Sequence, residues 1–252
     1  MEFVLVPPEL TPVGALGLLV ASFITSAMTA GVGIGGGVAL ISVMASVLPP
    51  AVVLPAHGVV QLGSNAGRAF VMRANVDWAI VAPFAAGSVA GVALASPLVV
   101  ALPQDALQLI LAAFVLYSVW APKPKGLAVR GAGYSVVGTV SSFCTMFVGG
   151  TGVLVAAFWS PQRMGRQGLV ATHAACMTLQ HGFKVIAFGL LGFQFAGWAA
   201  MLAAMIGSGF LGTLVGKAVL DRIPQAAFAR AFRLVLTALA LRLLWLGVSG
   251  LL

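Results

Sequence analysis

The sequence predicts an all-α, polytopic transmembrane helical bundle with two inverted-topology repeats, each containing a glycine-broken helix or re-entrant hairpin. Three observations predict it. Hydrophobic residues make up 61% of the chain and charged residues 7%, with a mean hydropathy of +1.10. A soluble domain carries about 25% charged residues, so this composition excludes one. Two glycine clusters, Gly31-Val32-Gly33-Ile34-Gly35-Gly36-Gly37 and Val148-Gly149-Gly150-Thr151-Gly152, each interrupt a long apolar run. Finally, the halves superpose with a shift of 115 residues: Gly35, Gly37 and Gly67 fall on Gly150, Gly152 and Gly182, and Asn65 falls on Gln180. Further along, small insertions bring Gly91 to Gly209.

The elements follow in order. Past Pro7, Pro8 and Pro12, an apolar run from Val13 to Ala30 is close to the ~20 residues a span requires. The glycine cluster ends it, a short arm from Val38 to Leu48 follows, and Pro49 and Pro50 close that arm. Next come segments Leu54 to Met72, Trp78 to Val100 and Ala106 to Trp120. Residues 1–121 form the first repeat, 122–130 with Lys123, Lys125 and Arg130 a cytoplasmic linker, and 131–252 the second repeat. That second half runs Gly133 to Phe147, a short arm to Trp159, then Leu169 to Leu191, Ala196 to Val219 and Ala226 to Val248.

Charge sets the orientation. Arg68 with Arg73, Lys123 with Lys125 and Arg130, Arg163 with Arg166, and Lys217 with Arg222 mark four loops, whereas the loops near Leu102 and Gly192 have no basic residue. Placing all four on the cytoplasmic side of a cell membrane leaves both termini outside. Each half then has an odd number of crossings, so the second is upside down relative to the first, and the two glycine clusters face each other near the midplane. The net charge of +8 is spread over these loops rather than gathered on one soluble face, so a nucleic-acid partner is not expected. The N-terminus has Glu2 and Glu9 instead of a basic signal region, and the first segment is expected to stay in the mature protein. Cys144 and Cys176 lie inside apolar segments and read as small hydrophobes.

Irregular backbone at membrane depth survives only where it is buried or lines a cavity. A glycine break at a half-helix N-terminus offers free N–H donors and the positive end of the helix dipole, which suits an anion. Gly33, Gly35, Gly36 and Gly37, with Gly149, Gly150, Thr151 and Gly152, are therefore candidate substrate-binding positions. The competing reading, that glycines permit close helix crossing, is preferred for isolated ones such as Gly87 and Gly207. Asn65 and Gln180 lie mid-segment, where an amide either donates to an oxyanion or bonds a neighbouring helix. Ser64 and Thr172 are weaker candidates, since such hydroxyls often bond their own backbone. Arg68 reads as a snorkelling side chain or a substrate contact, and Lys184, beside His181, as a snorkelling or a functional cation. His57, His173 and His181 are the candidates for proton coupling. No Asp or Glu falls inside a segment, so a hard-cation site lacks its oxygen ligands. Neither a metal nor any other cofactor is expected, and no enzyme motif is present.

The glycine-rich stretch Gly31 to Gly37, the proline end of the short arm, the segment with Gly63-Ser64-Asn65-Ala66-Gly67-Arg68 and the recurrence in the second half resemble the TauE/SafE family. The resemblance covers essentially the whole chain. It implies transport of sulfite, sulfoacetate or a related small sulfur-containing anion, usually outward. The expected partners are that anion and the lipid bilayer, with a homodimer plausible from the glycine-rich faces. The alternatives are an anion channel, an uptake permease for a related anion, or a membrane enzyme using the histidines.

Overall fold

The computed structural model describes residues 6–8, 10–32, 35–121, 129–159, 161–219 and 225–251. Gly33, Lys123, Lys125, Arg222 and most of the linker expected over 122–130 lie outside the described residues. Among the described residues there are helices and turns but no strand.

Helix α1 (Pro12–Val32) and α2 (Gly36–Ala45) flank the first glycine cluster, with Gly35 at φ 112°. Only glycine occupies that conformation without strain. A Cβ on Gly36 would collide with Thr29 Oγ1 and the Thr25 carbonyl, so α2 doubles back closely along α1. Its 10 residues extend about 15 Å, half a bilayer core. Helix α3 (Pro50–Val71) starts at Pro50, four residues before the expected Leu54. Proline is well tolerated in a first turn, where its missing N–H costs nothing. Helix α4 (Trp78–Ala101) opens on Asp77, whose carboxylate accepts from the Ala79 N–H at 3.1 Å, a normal N-cap. Helix α5 (Gln104–Trp120) completes the first half.

In the second half α6 (Gly133–Val148) ends at Gly149, φ 77°. The returning arm is shorter than in the first: α7 (Gly152–Val155) has 4 residues and passes into a 3₁₀ turn, Ala156–Phe158. Helix α8 (Pro161–Leu190) begins earlier than Leu169 and is interrupted by Gly165 at φ 66°. A 3₁₀ turn, Phe195–Trp198, leads into α9 (Ala199–Val219), and α10 (Gln225–Leu251) follows.

Polarity is arranged inside out. Trp245, Val13 and Phe210 are 73%, 80% and 61% exposed, while His57, Gln180 and Lys184 are at 0%. Water would reverse this distribution, and lipid explains it. Among the described residues, four helical stretches are long and apolar enough to cross a membrane: Pro12–Thr29, Trp78–Ala101, Phe195–Gly216 and Arg233–Leu251. The protein is an all-helical membrane protein.

The main packing pairs are α1 with α9, α4 with α6, α3 with α8 and α5 with α10. Exchanging the halves, so that α1–α5 become α6–α10, converts the first pair into the second and leaves the other two unchanged. Two of these crossings depend on glycines. A Cβ on Gly87 or Gly91 of α4 would meet the Ser135 or Thr139 carbonyl of α6, and one on Gly212 or Gly216 of α9 would meet the Phe23 or Ala27 carbonyl of α1. Small residues four apart let membrane helices approach this closely. Ser22 Oγ donates to the Met205 carbonyl and Ser208 Oγ to that of Leu19, both at 2.7 Å, across the α1–α9 crossing. Gly207, expected to serve the same purpose as Gly87, has nothing within 4 Å, because it sits on the opposite side of α9 from Gly209 and Gly212.

Candidate functional site

Helices α3 and α8 run antiparallel through the centre. A Cβ on Gly58 would lie 3.2 Å from Val185, and one on Gly182 would lie 3.8 Å from Leu62, so residues ascend on one helix as they descend on the other. Both carry more polar groups than their neighbours, and these groups face inward where they need partners.

A cavity of about 60 Å³ opens between this pair and the first glycine cluster. Helix α1 contributes Thr25, Ser26 and Thr29; the start of α2 contributes Gly35, Gly36 and Gly37; α3 contributes Gln61, Ser64, Asn65 and Arg68. From the second half come Gly150, Gly152, His173, Met177 and His181. The two glycine clusters meet here: a Cβ on Gly150 would lie 3.5 Å from the Gly37 carbonyl carbon and 3.6 Å from His57 Cε1. No acidic residue lines the cavity among the described residues. The first amides of a 10-residue helix lack intrahelical acceptors and carry the positive end of its dipole.

Hydrogen bonding determines which polar atoms are available. His57 Nε2 donates to the Gly37 carbonyl at 2.9 Å and so carries the ring proton. That nitrogen cannot also accept, so the Gln61 amide nitrogen, 3.4 Å away, has no acceptor there. Gln61 is oriented by Asn65, whose Nδ2 donates to the Gln61 carbonyl at 2.8 Å and to its Oε1 at 3.3 Å. The Trp159 indole N–H donates to His173 Nδ1 at 3.0 Å. His173 then carries its proton on Nε2, the atom nearest Gly152, 3.3 Å from a Cβ placed there. The Gln61 amide nitrogen, the Nε2–H of His173 and the Arg68 guanidinium are donors on the cavity lining.

The remaining candidates lie behind this wall. Gln180 Nε2 donates to Thr151 Oγ1 at 2.7 Å and to the Ser141 carbonyl at 3.3 Å, while Thr151 donates to the same carbonyl at 3.2 Å. Lys184 Nζ donates to the Thr145 carbonyl at 3.2 Å, near the C-terminus of α6, where a cation complements the dipole. Gly149, whose Cβ position is occupied by Ile41 Cδ1, is a turn residue. Thr172 accepts the Asp77 N–H at 2.9 Å and fastens α4 to α8.

Of the candidates named from sequence, the structure thus gathers Gly35, Gly36, Gly37, Asn65, Arg68, Gly150, Gly152, His173 and His181 around one cavity. Gly149, Thr151, Gln180, Lys184 and His57 are not on its lining. Sequence reasoning passed over Gln61 and the hydroxyls of α1. Their signal was present: Gln61 stands four residues before Asn65, and Thr25 four before Thr29, each on one helix face.

The family profile described as sulfite exporter TauE/SafE matches residues 18–243. Comparisons with curated proteins and with solved structures return no match. The matched span includes both glycine clusters and every residue lining the cavity. The chain belongs to the TauE/SafE family of sulfite exporters.

Proposed function

We propose that the protein is a secondary transporter that exports a small sulfur-containing anion, sulfite or an organosulfonate such as sulfoacetate, by alternating access around this cavity. The observation that carries the reading is the lining: the first residues of α2, the Gln61 amide nitrogen, the Nε2–H of His173 and the cation Arg68, with no carboxylate among the described residues. Such a set complements an acceptor-only oxyanion in a low-dielectric site. The volume of about 60 Å³ suits an anion of a few heavy atoms. Of the coupling candidates, His173 has Nδ1 occupied by Trp159, whereas the Nδ1 atoms of His57 and His181 have no hydrogen-bond partner.

The exchange of helix pairs between halves and the placement of the basic loops support an inverted repeat with both termini outside the cytoplasm of a plasma-membrane protein. Thermal stabilisation of purified protein by sulfite, sulfoacetate, taurine, thiosulfate, sulfate and chloride tests the site, because a ligand of the folded state alone raises the melting temperature with concentration. A shift produced by a sulfur oxyanion and absent in Asn65→Leu is expected. No shift with any of them, together with flux that does not saturate in vesicles, would replace the transporter by a channel.

A further inference from the structure

The two halves bring a histidine to their glycine clusters in different ways. In the first, His57 Nε2 donates to the Gly37 carbonyl at 2.9 Å, and the side chain is buried and off the cavity lining. In the second, His173 stands on the lining, with Nε2 3.3 Å from a Cβ placed on Gly152. Gly152 is the counterpart of Gly37 under the 115-residue shift. Each half therefore sets an imidazole against the same glycine, and only the second sets it on the cavity.

Trp159 separates the two cases. It closes the returning arm, directly after the 3₁₀ turn Ala156–Phe158, and its side chain is buried. Two helices hold the indole: the Phe84 ring of α4 has its centroid 6.2 Å away, and the Tyr134 ring of α6 5.8 Å. From that seat the indole N–H donates to His173 Nδ1 at 3.0 Å. An indole nitrogen donates and cannot accept, so Nδ1 is the bare nitrogen and the ring proton sits on Nε2.

The seat explains the indole ring but not the choice of acceptor. A buried indole N–H needs one, and a backbone carbonyl would serve. Here it is taken by an imidazole on the cavity lining. The 115-residue shift carries Trp159 onto Met44 and His173 onto Gly58, and neither side chain has an N–H to offer. The donor pair therefore belongs to the second half alone, and the repeated scaffold packs without it.

We infer that Trp159 is a positioning residue of the anion site, which fixes the ring and tautomer of His173 so that Nε2–H donates to the bound anion. The inference rests on the anion reading of the cavity given above. It adds that Trp159, which is not on the lining, contributes to anion affinity wholly through His173.

Two measurements on the purified full-length protein test this. Isotope-labelled histidine gives ring-nitrogen resonance spectra in which protonated and bare nitrogens are distinct, and the His173 signals are those lost in His173→Ala. The parent is expected to show His173 protonated on Nε2, with a bare Nδ1 whose signal moves in Trp159→Phe. The second measurement is a cycle of sulfoacetate affinities, read from concentration-dependent thermal stabilisation. Trp159→Phe is expected to weaken sulfoacetate about fivefold, within the range for one neutral hydrogen bond. Added to His173→Ala, the same substitution is expected to weaken it no further.

A parent His173 protonated on Nδ1 overturns the inference, as does a Trp159→Phe variant that binds sulfoacetate like the parent. A further loss in the double variant also overturns it, because Trp159 would then act by packing. Should Trp159→Phe not fold, benzothienylalanine at position 159 gives the same readout, since it keeps the bicyclic shape and has sulfur in place of the N–H. Failure of the anion reading has a separate signature: no anion stabilises the parent, while its Nε2–H signal remains. Failure of this inference alone leaves the parent stabilised by sulfoacetate.

Discussion

The two glycine clusters occupy equivalent places in their halves and are built differently. After the first, the chain enters a 10-residue helix whose first residues line the cavity, so on the proposed reading a helix dipole would supply the attraction for an anion. After the second, α7 has only 4 residues, too few to sustain a comparable dipole, and side chains take its place. Gln180 and Thr151 converge on the Ser141 carbonyl, and Lys184 reaches the Thr145 carbonyl. The difference teaches that a duplicated backbone break does not duplicate its chemistry. One half presents open donors while the other holds its polar groups in a mostly internal lattice.

The largest test of this comparison is steric. Gly36→Val would force a side chain into Thr29 and the backbone carbonyl of Thr25, which cannot yield as a side-chain tip can. Overpacking of this kind costs about 3 kcal/mol or more, and loss of folded protein in size-exclusion chromatography is expected. Gly152→Ala, whose Cβ would meet His173 Nε2 and Met177 Sδ at 3.3 Å, should fold and lose anion-induced stabilisation instead. If both variants behave alike, the two clusters are equivalent after all.

Next in size is Asn65→Leu, expected to lower flux at least about tenfold with the melting temperature within a few degrees of the parent. It removes the group that orients Gln61 and leaves the helix packing intact. Its counterpart Gln180→Leu should show the reverse order of effects. Thr151 loses a buried donor there, and a stability loss of about 1 kcal/mol, read as a lower melting temperature, should precede any change in flux. Equal flux loss at equal stability in the two variants would erase the distinction between the open and the sealed half. The smallest effect is expected for Gly207→Ala, where nothing lies within 4 Å. Replacing a mid-helix glycine should raise stability by about 0.5–1 kcal/mol without touching flux.

Much of this was legible beforehand, and the reason differs from feature to feature. Segment boundaries such as Trp78, Trp120 and Gly133 were legible because capping residues, prolines and the ends of apolar runs are local signals. Membership of Asn65 and Gly35 to Gly37 in the lining followed from repeat symmetry combined with the cost of polar backbone in lipid. The separation of Gln180 and Lys184 from the cavity was not legible, because it depends on which neighbours α6 places against α8. Gly207 was grouped with Gly87 for the same reason: their surroundings differ, and a glycine does not announce what it faces.

By itself the sequence determined that the chain is helical, that it resides in a bilayer, roughly where its apolar segments lie, and that two glycine clusters recur at a constant offset. These follow from composition and short-range spacing, which need no knowledge of neighbours. Only the tertiary structure decided that His173 is held as an Nε2–H donor by Trp159, and that Asn65 and Arg68 line the cavity while Gln180 and Lys184 are closed off from it. Each of these depends on a contact between helices far apart in the chain, and a repeat that is symmetric in sequence can pack its two copies into different environments.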